Sequence, residues 1–488
     1  MMAEEAPLRR QPIEPWRPAH RPQLHDDAYL DRFIDGALQV LERTGVKVLS
    51  ERAAAVFREH GAAWDTERQV SRLSEELVRG ALASAPRTFV LGSRDGSCDL
   101  DLASGATYMT ADGCGPELID WRTGERRAST KADLADATRM LDYLSSIGFW
   151  WPTVGAGDCG QTAQLHELDA GWNNTVKHLQ CMVQGGREAR YAVEMASVIA
   201  GGADHLRRHP PLSALMFAVS PLAIDRDGGD ATLVFAEAGV PVVAGSGPAT
   251  GTTAPATAAG AMVLSLAEVL AQVVLVQLAH PGAPVIGYTV GGAADPRTGA
   301  MVGYPLDIRD PALGVELVHR LGLPSLHGTG GADAELPGTW TAAAQAGPSL
   351  AMAAWSGSEL TVGLGITNGD TLWSAEALML DDHLYHQARY IVMETAVDDE
   401  QLALDVIDAV GPGGHFLAHP HTRKHMRAGF VRGLTLEFDE QGRYRDAIDV
   451  ARERAHDILE HFEPDPLGED KATELRQVLT AADAELRS

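Results

Sequence analysis

Residues 240–296 read VPVVAGSGPATGTTAPATAAGAMVLSLAEVLAQVVLVQLAHPGAPVIGYTVGGAADP, and this stretch decides the fold class. The run 241–244 is short, apolar and bounded by turn residues, as a strand buried on both faces is. Thr253, two residues before Pro255, offers a cap ahead of a proline, a common helix start. Residues 256–279 follow with Leu264, Leu266, Val269, Val273 and Val276 at mixed three- and four-residue spacings. His280-Pro281-Gly282 stops that helix, and residues 284–290 give the next strand. Two parallel strands joined by a helical crossover form a βαβ unit. In such units the loops after the strands carry function, here residues 245–252 and 291–297.

The same plan repeats on either side. Strand-like segments lie near residues 150, 180, 215, 242, 286, 325 and 363, separated by helical patterns. One of those helices spans 130–144, with Thr130 as N-cap and Asp133 as the acidic residue of its first turn. An eighth strand, near Met109 or after Leu380, closes the set. The fold class expected is α/β, a (β/α)8 TIM barrel with an N-terminal mainly helical addition and C-terminal helices. An open doubly wound sheet is the alternative, but no GxGxxG opens a helix after the first strand. Residues 1–110 read as an α+β cap: helices over 26–45, 51–60 and 74–85, then short strands over 88–91, 98–102 and 106–110. Residues 111–430 form the barrel domain, and residues 431–488 a C-terminal helical extension. Its last helix, 470–487, is charged and amphipathic and reads as solvated or facing a second copy in a homo-oligomer.

The net charge of −27 argues against binding to nucleic acid or to an anionic membrane surface, whose phosphates need a basic face. It suits a cationic substrate, and equally plain solubility. Four cysteines without a CxxC pair place the chain in a reducing cytoplasm. The N-terminus has no apolar signal-peptide core. Residues 254–279 come closest to a membrane span, but Glu268 and Gln277 interrupt them, so a buried barrel helix is expected.

Barrel enzymes hold their reactive groups just after the strands. Reading off those positions gives Trp150, Trp151, Gln184, Ser220, Ser246, Tyr288, His327, Asp333 and Asn368. Trp150, Trp151 and Tyr288, with Trp340 from the long loop 327–349, are candidates for an aromatic mouth that attracts a methylated ammonium. Core packing is the plain alternative for each ring. Asp333 or Glu335 in that loop offers charge balance, and surface carboxylates are again the plain reading. Histidines 415, 419, 421 and 425 invite a metal-site reading, but Pro420 breaks the helix and no carboxylate completes a set, so no metal is expected. There is no GxSxG elbow and no P-loop. These residues suit a small cationic or neutral organic molecule and name no reaction.

Longer blocks carry a resemblance. PATGTTAPATAAGAMVLSLAEVLAQVVLVQLAHPGAPVIGY (248–288), RRASTKADLADATRMLDYL (126–144), MASVIAGGADHLRRHPPL (195–212) and GPGGHFLAHPHTRKH (411–425) resemble the trimethylamine methyltransferase family. ERTGVKV (42–48) and ALMLDDHL (377–384) fit as well. The resemblance implies a (β/α)8 barrel that moves a methyl group from a methylated amine to the Co(I) corrinoid of a separate cobalamin-binding protein. No cofactor is then bound tightly by this chain. Trimethylamine-specific members carry pyrrolysine; this sequence has none and so resembles the branch acting on glycine betaine and related quaternary amines. Trp150, Trp151, Tyr288, His327, Asp333, Trp340 and Gln345 are the expected substrate-binding residues, with Gln345, His327 or backbone amides as donors to a betaine carboxylate. One segment departs from the family: its usual QAxxE-like run reads QAGPS here, residues 345–349, and loses a carboxylate. Two other readings keep the residues: a barrel enzyme on a small methylated amine without a corrinoid, and a non-catalytic protein that binds quaternary amines.

Overall fold

A computed structural model describes residues 8–21, 23–303, 306–329, 333–426 and 433–487. Its centre is a ring of parallel strands: β1 (Tyr108–Ala111), β2 (Phe149–Trp150), β3 (His178–Cys181), β4 (Leu212–Phe217), β5 (Val242–Ser246), β6 (Val285–Thr289), β7 (Ser325–Gly328) and β8 (Leu360–Leu364). Each pairs with the next, and β8 returns to β1. The ring closes between β1 and β2, where Met109 bridges to Ile147 and Gly148 N–H donates to the Met109 carbonyl at 2.7 Å. The barrel expected from the repeat is therefore formed, and its eighth strand is the one near Met109.

Alternation along the strands divides the core in two. Phe149, Leu215, Val243, Ile286, Leu326 and Val362 meet inside the barrel. Residues of opposite parity face the helices: a Cβ on Gly287 would come within 2.8 Å of Val318 on the helix Leu306–Arg320. The first barrel helix, Lys131–Tyr143, begins in a capping box: Thr130 Oγ1 accepts from Asp133 N–H, and an Asp133 carboxyl oxygen accepts from Thr130 N–H at 2.9 Å.

The helix Ala258–Ala279 is long and apolar enough to cross a membrane, yet most of it is buried inside the protein. Its inner side packs on β5 and β6. Its outer side is covered by the N-terminal helices Asp27–Arg43 and Glu75–Ser84. The approach to the first of these is close: a Cβ on Gly36 would meet Val263 Cγ2 at 3.2 Å. A helix sandwiched in this way has no solvent face, so its sequence shows no polar stripe. Glu268 is the exception and is fully engaged. Its carboxyl oxygens accept from Ser220 Oγ at 2.7 Å, Ser246 Oγ at 2.6 Å and Leu222 N–H at 2.7 Å.

The N-terminal helices are capped by Asp26, Ser50 and Ser74, as expected of side chains that accept from first-turn amides. Of the three short strands expected before residue 110, Val90–Leu91 and Leu100–Asp101 pair with each other, whereas Tyr108–Ala111 is β1. A domain boundary at residue 110 thus falls inside a barrel strand; the boundary at 430 lies outside the described residues. The helices Ala447–His461 and Glu469–Leu486 do not stand apart from the barrel. Val450, Ile458, Leu459, Leu475 and Val478 share one core with the barrel helices. The last helix, expected to be solvated or turned to a second copy, lays its apolar face on the helix Gly186–Ala200.

Candidate functional site

The inward parity of β1 runs Tyr108, Thr110, Asp112, so the residue after the strand places a carboxyl at the barrel's C-terminal mouth. Thr110 Oγ1 donates to the Phe149 carbonyl at 2.6 Å, and Asp112 N–H donates to the Leu364 carbonyl at 2.9 Å. These bonds fix the strand end against its neighbours on both sides. Among the described residues, the Asp112 carboxyl accepts only from Gly113 N–H, at 2.7 Å. A second carboxyl, Asp370, comes from the turn between the short strands Ile366–Thr367 and Leu372–Trp373. That turn is left-handed at Asn368, Gly369 and Asp370, and Asn368 Nδ2 donates to Thr371 Oγ1 at 2.7 Å. Asn368 N–H also donates to the Ala334 carbonyl at 2.8 Å, tying the turn to the segment that carries Asp333.

Asp112 is half-buried and Asp370 exposed, and the carboxyls of Asp112, Asp370 and Asp333 lie within electrostatic reach of one another in turn, Asp112 of Asp370 and Asp370 of Asp333. Burial and the nearby charge of Asp370 push Asp112 well above the usual carboxylate range; burial and Asp333 push Asp370 up. Among the described residues, neither Asp112 nor Asp370 forms an ion pair with Lys, Arg or His. Asp333 accepts from Gly303 N–H at 3.2 Å and from Gln345 Nε2 at 3.4 Å.

Two aromatic rings wall the same space. Tyr288, 4% exposed, meets Phe217 edge-on at 5.7 Å between ring centres. Burial and the charges of Asp112 and Asp370 hold its hydroxyl well above the ordinary tyrosine range. Trp151, 5% exposed, lies against Gly113, where a Cβ would come within 2.8 Å of the indole. Gly328 leaves similar room for the Tyr288 hydroxyl, 2.7 Å from where a Cβ would stand. Beside Asp112, the exposed Cys114 places its Sγ 3.5 Å from Met182 Sδ. Burial also raises Glu167, whose carboxyl accepts from Ala156 N–H at 3.2 Å.

The expected site residues separate. Trp151, Tyr288, Asp333 and Gln345 come to the mouth or its wall. Trp150 does not: its parity is outward, and its Nε1 donates to Thr138 Oγ1 at 2.9 Å within the packing against the helix Lys131–Tyr143. His327 shares the parity of Ser325, which bonds His319 on an outer helix, so it lies in the sheet–helix layer. Both its ring nitrogens lack a partner among the described residues, and burial drives its pKa down to about 3. Trp340 is 86% exposed on the first turn of the helix Trp340–Ser356. That helix replaces much of the expected loop 327–349, so QAGPS is helical, with Pro348 inside it. Gln184, Ser220 and Ser246 serve structure: Gln184 N–H donates to Gln164, and both serines donate to Glu268. The histidine-rich segment is used locally. His419 caps the turn Pro420–His425, and His425 and Lys424 bond Glu400. No group of three metal-binding side chains occurs among the described residues.

Asp112 and Asp370 were missed by sequence reasoning. The first had a signal, a polar residue continuing the inward alternation 108, 110, 112. The second reads only as a turn residue in Asn-Gly-Asp.

A model of the family described as trimethylamine methyltransferase (MTTB) matches residues 3–486. This chain belongs to the trimethylamine methyltransferase family. It is similar to the trimethylamine methyltransferase MttB of Desulfitobacterium hafniense strain DCB-2, 32% identical over 94% of each chain. It is 29% identical to the trimethylamine methyltransferase MttB of Methanosarcina barkeri strain Fusaro, over 92% of this chain and 93% of the relative. It is 28% identical to the glycine betaine methyltransferase of Desulfitobacterium hafniense strain Y51, over 90% and 92% respectively. The trimethylamine methyltransferase family thus spans relatives with different amine substrates at similar distances from this chain.

Proposed function

We propose that this chain takes a methyl group from a quaternary ammonium held at the barrel mouth and passes it to the Co(I) corrinoid of a partner protein. The observation that carries the reading is the Asp112–Asp370 pair, which has no cationic partner among the described residues and is walled by Tyr288 and Trp151. Two carboxyls within electrostatic reach of each other repel unless a proton or a cation joins them. A quaternary ammonium supplies that cation and also offers methyl groups to the aromatic faces.

The chemistry needs no general base. Attack on a methyl carbon displaces the amine, and the quaternary nitrogen keeps the bonding pair and leaves as a neutral tertiary amine. The protein's part is to hold one methyl toward the open end of the barrel, where the methyl acceptor arrives, and to keep water out. The carboxyls bind the cation of the ground state, and that charge disappears as the amine leaves. They therefore govern affinity more than the rate of the chemical step. Four free cysteines are consistent with the reducing, cytoplasmic setting that a Co(I) acceptor requires.

The test is methyl transfer to free cob(I)alamin, followed by absorbance, with a panel of quaternary amines and trimethylamine. Turnover with a quaternary amine and none with trimethylamine is expected. Turnover with trimethylamine alone would overturn the proposal. So would silence across the panel when the cognate corrinoid protein is also supplied.

A further inference from the structure

We infer that residues 394–426 are an interface between copies of this chain. Two such arms, related by a twofold axis, cover each other's apolar side chains and set acidic half against basic half. No residue from 393 to 426 is buried. The segment is nonetheless helical over Asp399–Leu402, Leu404–Val410 and Pro420–His425. It is also apolar: Leu417 is 76% exposed, Val397 70% and Leu404 63%. Among the described residues, more than half of the large apolar side chains that stand exposed lie between residues 390 and 444. Helices this short do not hold in water unaided, and a stretch this apolar lacks the composition of a disordered linker. The arm needs a cover, and the described part of its own chain supplies none.

Charge identifies the cover. Residues 394–408 hold Glu394, Asp398, Asp399, Glu400, Asp405 and Asp408 and no Lys or Arg. Residues 409–426 hold Arg423, Lys424 and four histidines and no Asp or Glu. The two halves meet at Glu400, whose carboxylate bonds Lys424 and His425 and whose carbonyl accepts from His421 Nε2 at 3.2 Å. Among the described residues, Asp405, Asp408 and Arg423 form no ion pair and stand exposed. An arm acidic at one end and basic at the other is complementary to a second arm turned through a half-circle, the contact that a twofold axis makes. A partner of one sign would match one half and repel the other.

Size agrees with this occupant. A stable interface takes about 20–30 residues from each side, and the arm alone supplies that many. Its apolar character fits the lasting contact of identical subunits rather than the passing contact of a methyl acceptor, which has to arrive and leave.

Sedimentation equilibrium on the full-length protein tests the inference, and self-association at micromolar concentration is expected. Asp405→Lys with Asp408→Lys, and separately His415→Glu with Arg423→Glu, change only exposed side chains. Each pair is expected to weaken association about tenfold or more. An equimolar mixture of the two variants is expected to associate again, because positions 405 and 408 of one copy then face the opposite sign at 415 and 423 of the other. Leu404→Ser with Leu417→Ser is expected to weaken association by a similar factor and to open the arm to trypsin at Arg423 and Lys424. Far-ultraviolet circular dichroism reports that the barrel of each variant remains folded. A parent chain that sediments as a monomer overturns the inference, as does association that none of the three variants weakens. A mixture that stays dissociated overturns the twofold match of the arms. Protection of the arm only when a corrinoid-binding protein is added would give this surface to that protein and overturn the inference as well.

Discussion

Trp150 and Trp151 are neighbours in sequence and opposites in role. One residue of strand parity sends Trp150 to the helix layer, bonded to Thr138, and Trp151 to the barrel interior beside Gly113. His327 is a similar case, polar by composition but buried by parity. Its pKa falls from 6.5 to about 3, so the unfolded chain binds a proton that the fold refuses. The ring costs nothing above pH 6.5, and stability is lost as the pH falls from there toward 3. At pH 5 the cost is about 2 kcal/mol, one and a half units at about 1.4 kcal/mol each. Because neither ring nitrogen has a hydrogen-bond partner among the described residues, His327→Leu is expected to stabilise the protein and to shrink its loss of stability between pH 7.5 and pH 5 by about 2 kcal/mol. Urea unfolding at the two pH values checks this; an unchanged loss would show that other groups carry the acid sensitivity. At this scale the sequence named the right residue types near the strand ends. It erred wherever an error of one or two residues changes which face a side chain takes, as at Trp150 and His327.

The helix Ala258–Ala279 shows what an element needs beyond its own pattern. Its cap at Thr257 and its stop at His280 are written locally, although the cap lies four residues beyond Thr253, where the sequence places it. The reason for its uniform apolarity is not local, because the outer cover comes from the helix Asp27–Arg43. Glu268 sits in that apolar run as the acceptor for three donors from the ends of β4 and β5. Glu268→Leu would make the helix more hydrophobic yet leave two hydroxyls and an amide without an acceptor. The expected outcome is a loss of about 3–5 kcal/mol in urea unfolding, with a smaller loss for Glu268→Gln, which keeps one acceptor oxygen. A Leu variant as stable as the parent would show that these donors find water instead. The helix Trp340–Ser356 went unread over its first ten residues because Gly347 and Pro348 are breakers in isolation. Here packing of Gln345, Leu350 and Ala353 holds the helix through them.

In the whole molecule, the barrel, the N-terminal addition and the C-terminal helices share their cores. Removing residues 447–488 would uncover the apolar faces of the helices Lys131–Tyr143, Gly186–Ala200 and Ala375–Val392. Each large apolar side chain lost from burial costs about 1.5–3 kcal/mol, against a total stability of about 5–15 kcal/mol. The truncated chain is therefore expected to aggregate on expression. A soluble product with the parent's thermal midpoint would make the extension an independent unit. The sequence by itself determined the βαβ repeat, the parallel barrel, the helix caps and the family, because periodicity, capping residues and long similar blocks are recorded along the chain. Tertiary structure alone decided three things: that β1 closes the ring against Ile147, that His327 and Trp150 turn away from the mouth, and that Asp112 and Asp370, 258 positions apart, come within electrostatic reach of each other and of Tyr288. Long-range electrostatics and burial depend on which strand ends are neighbours, and no local pattern records that.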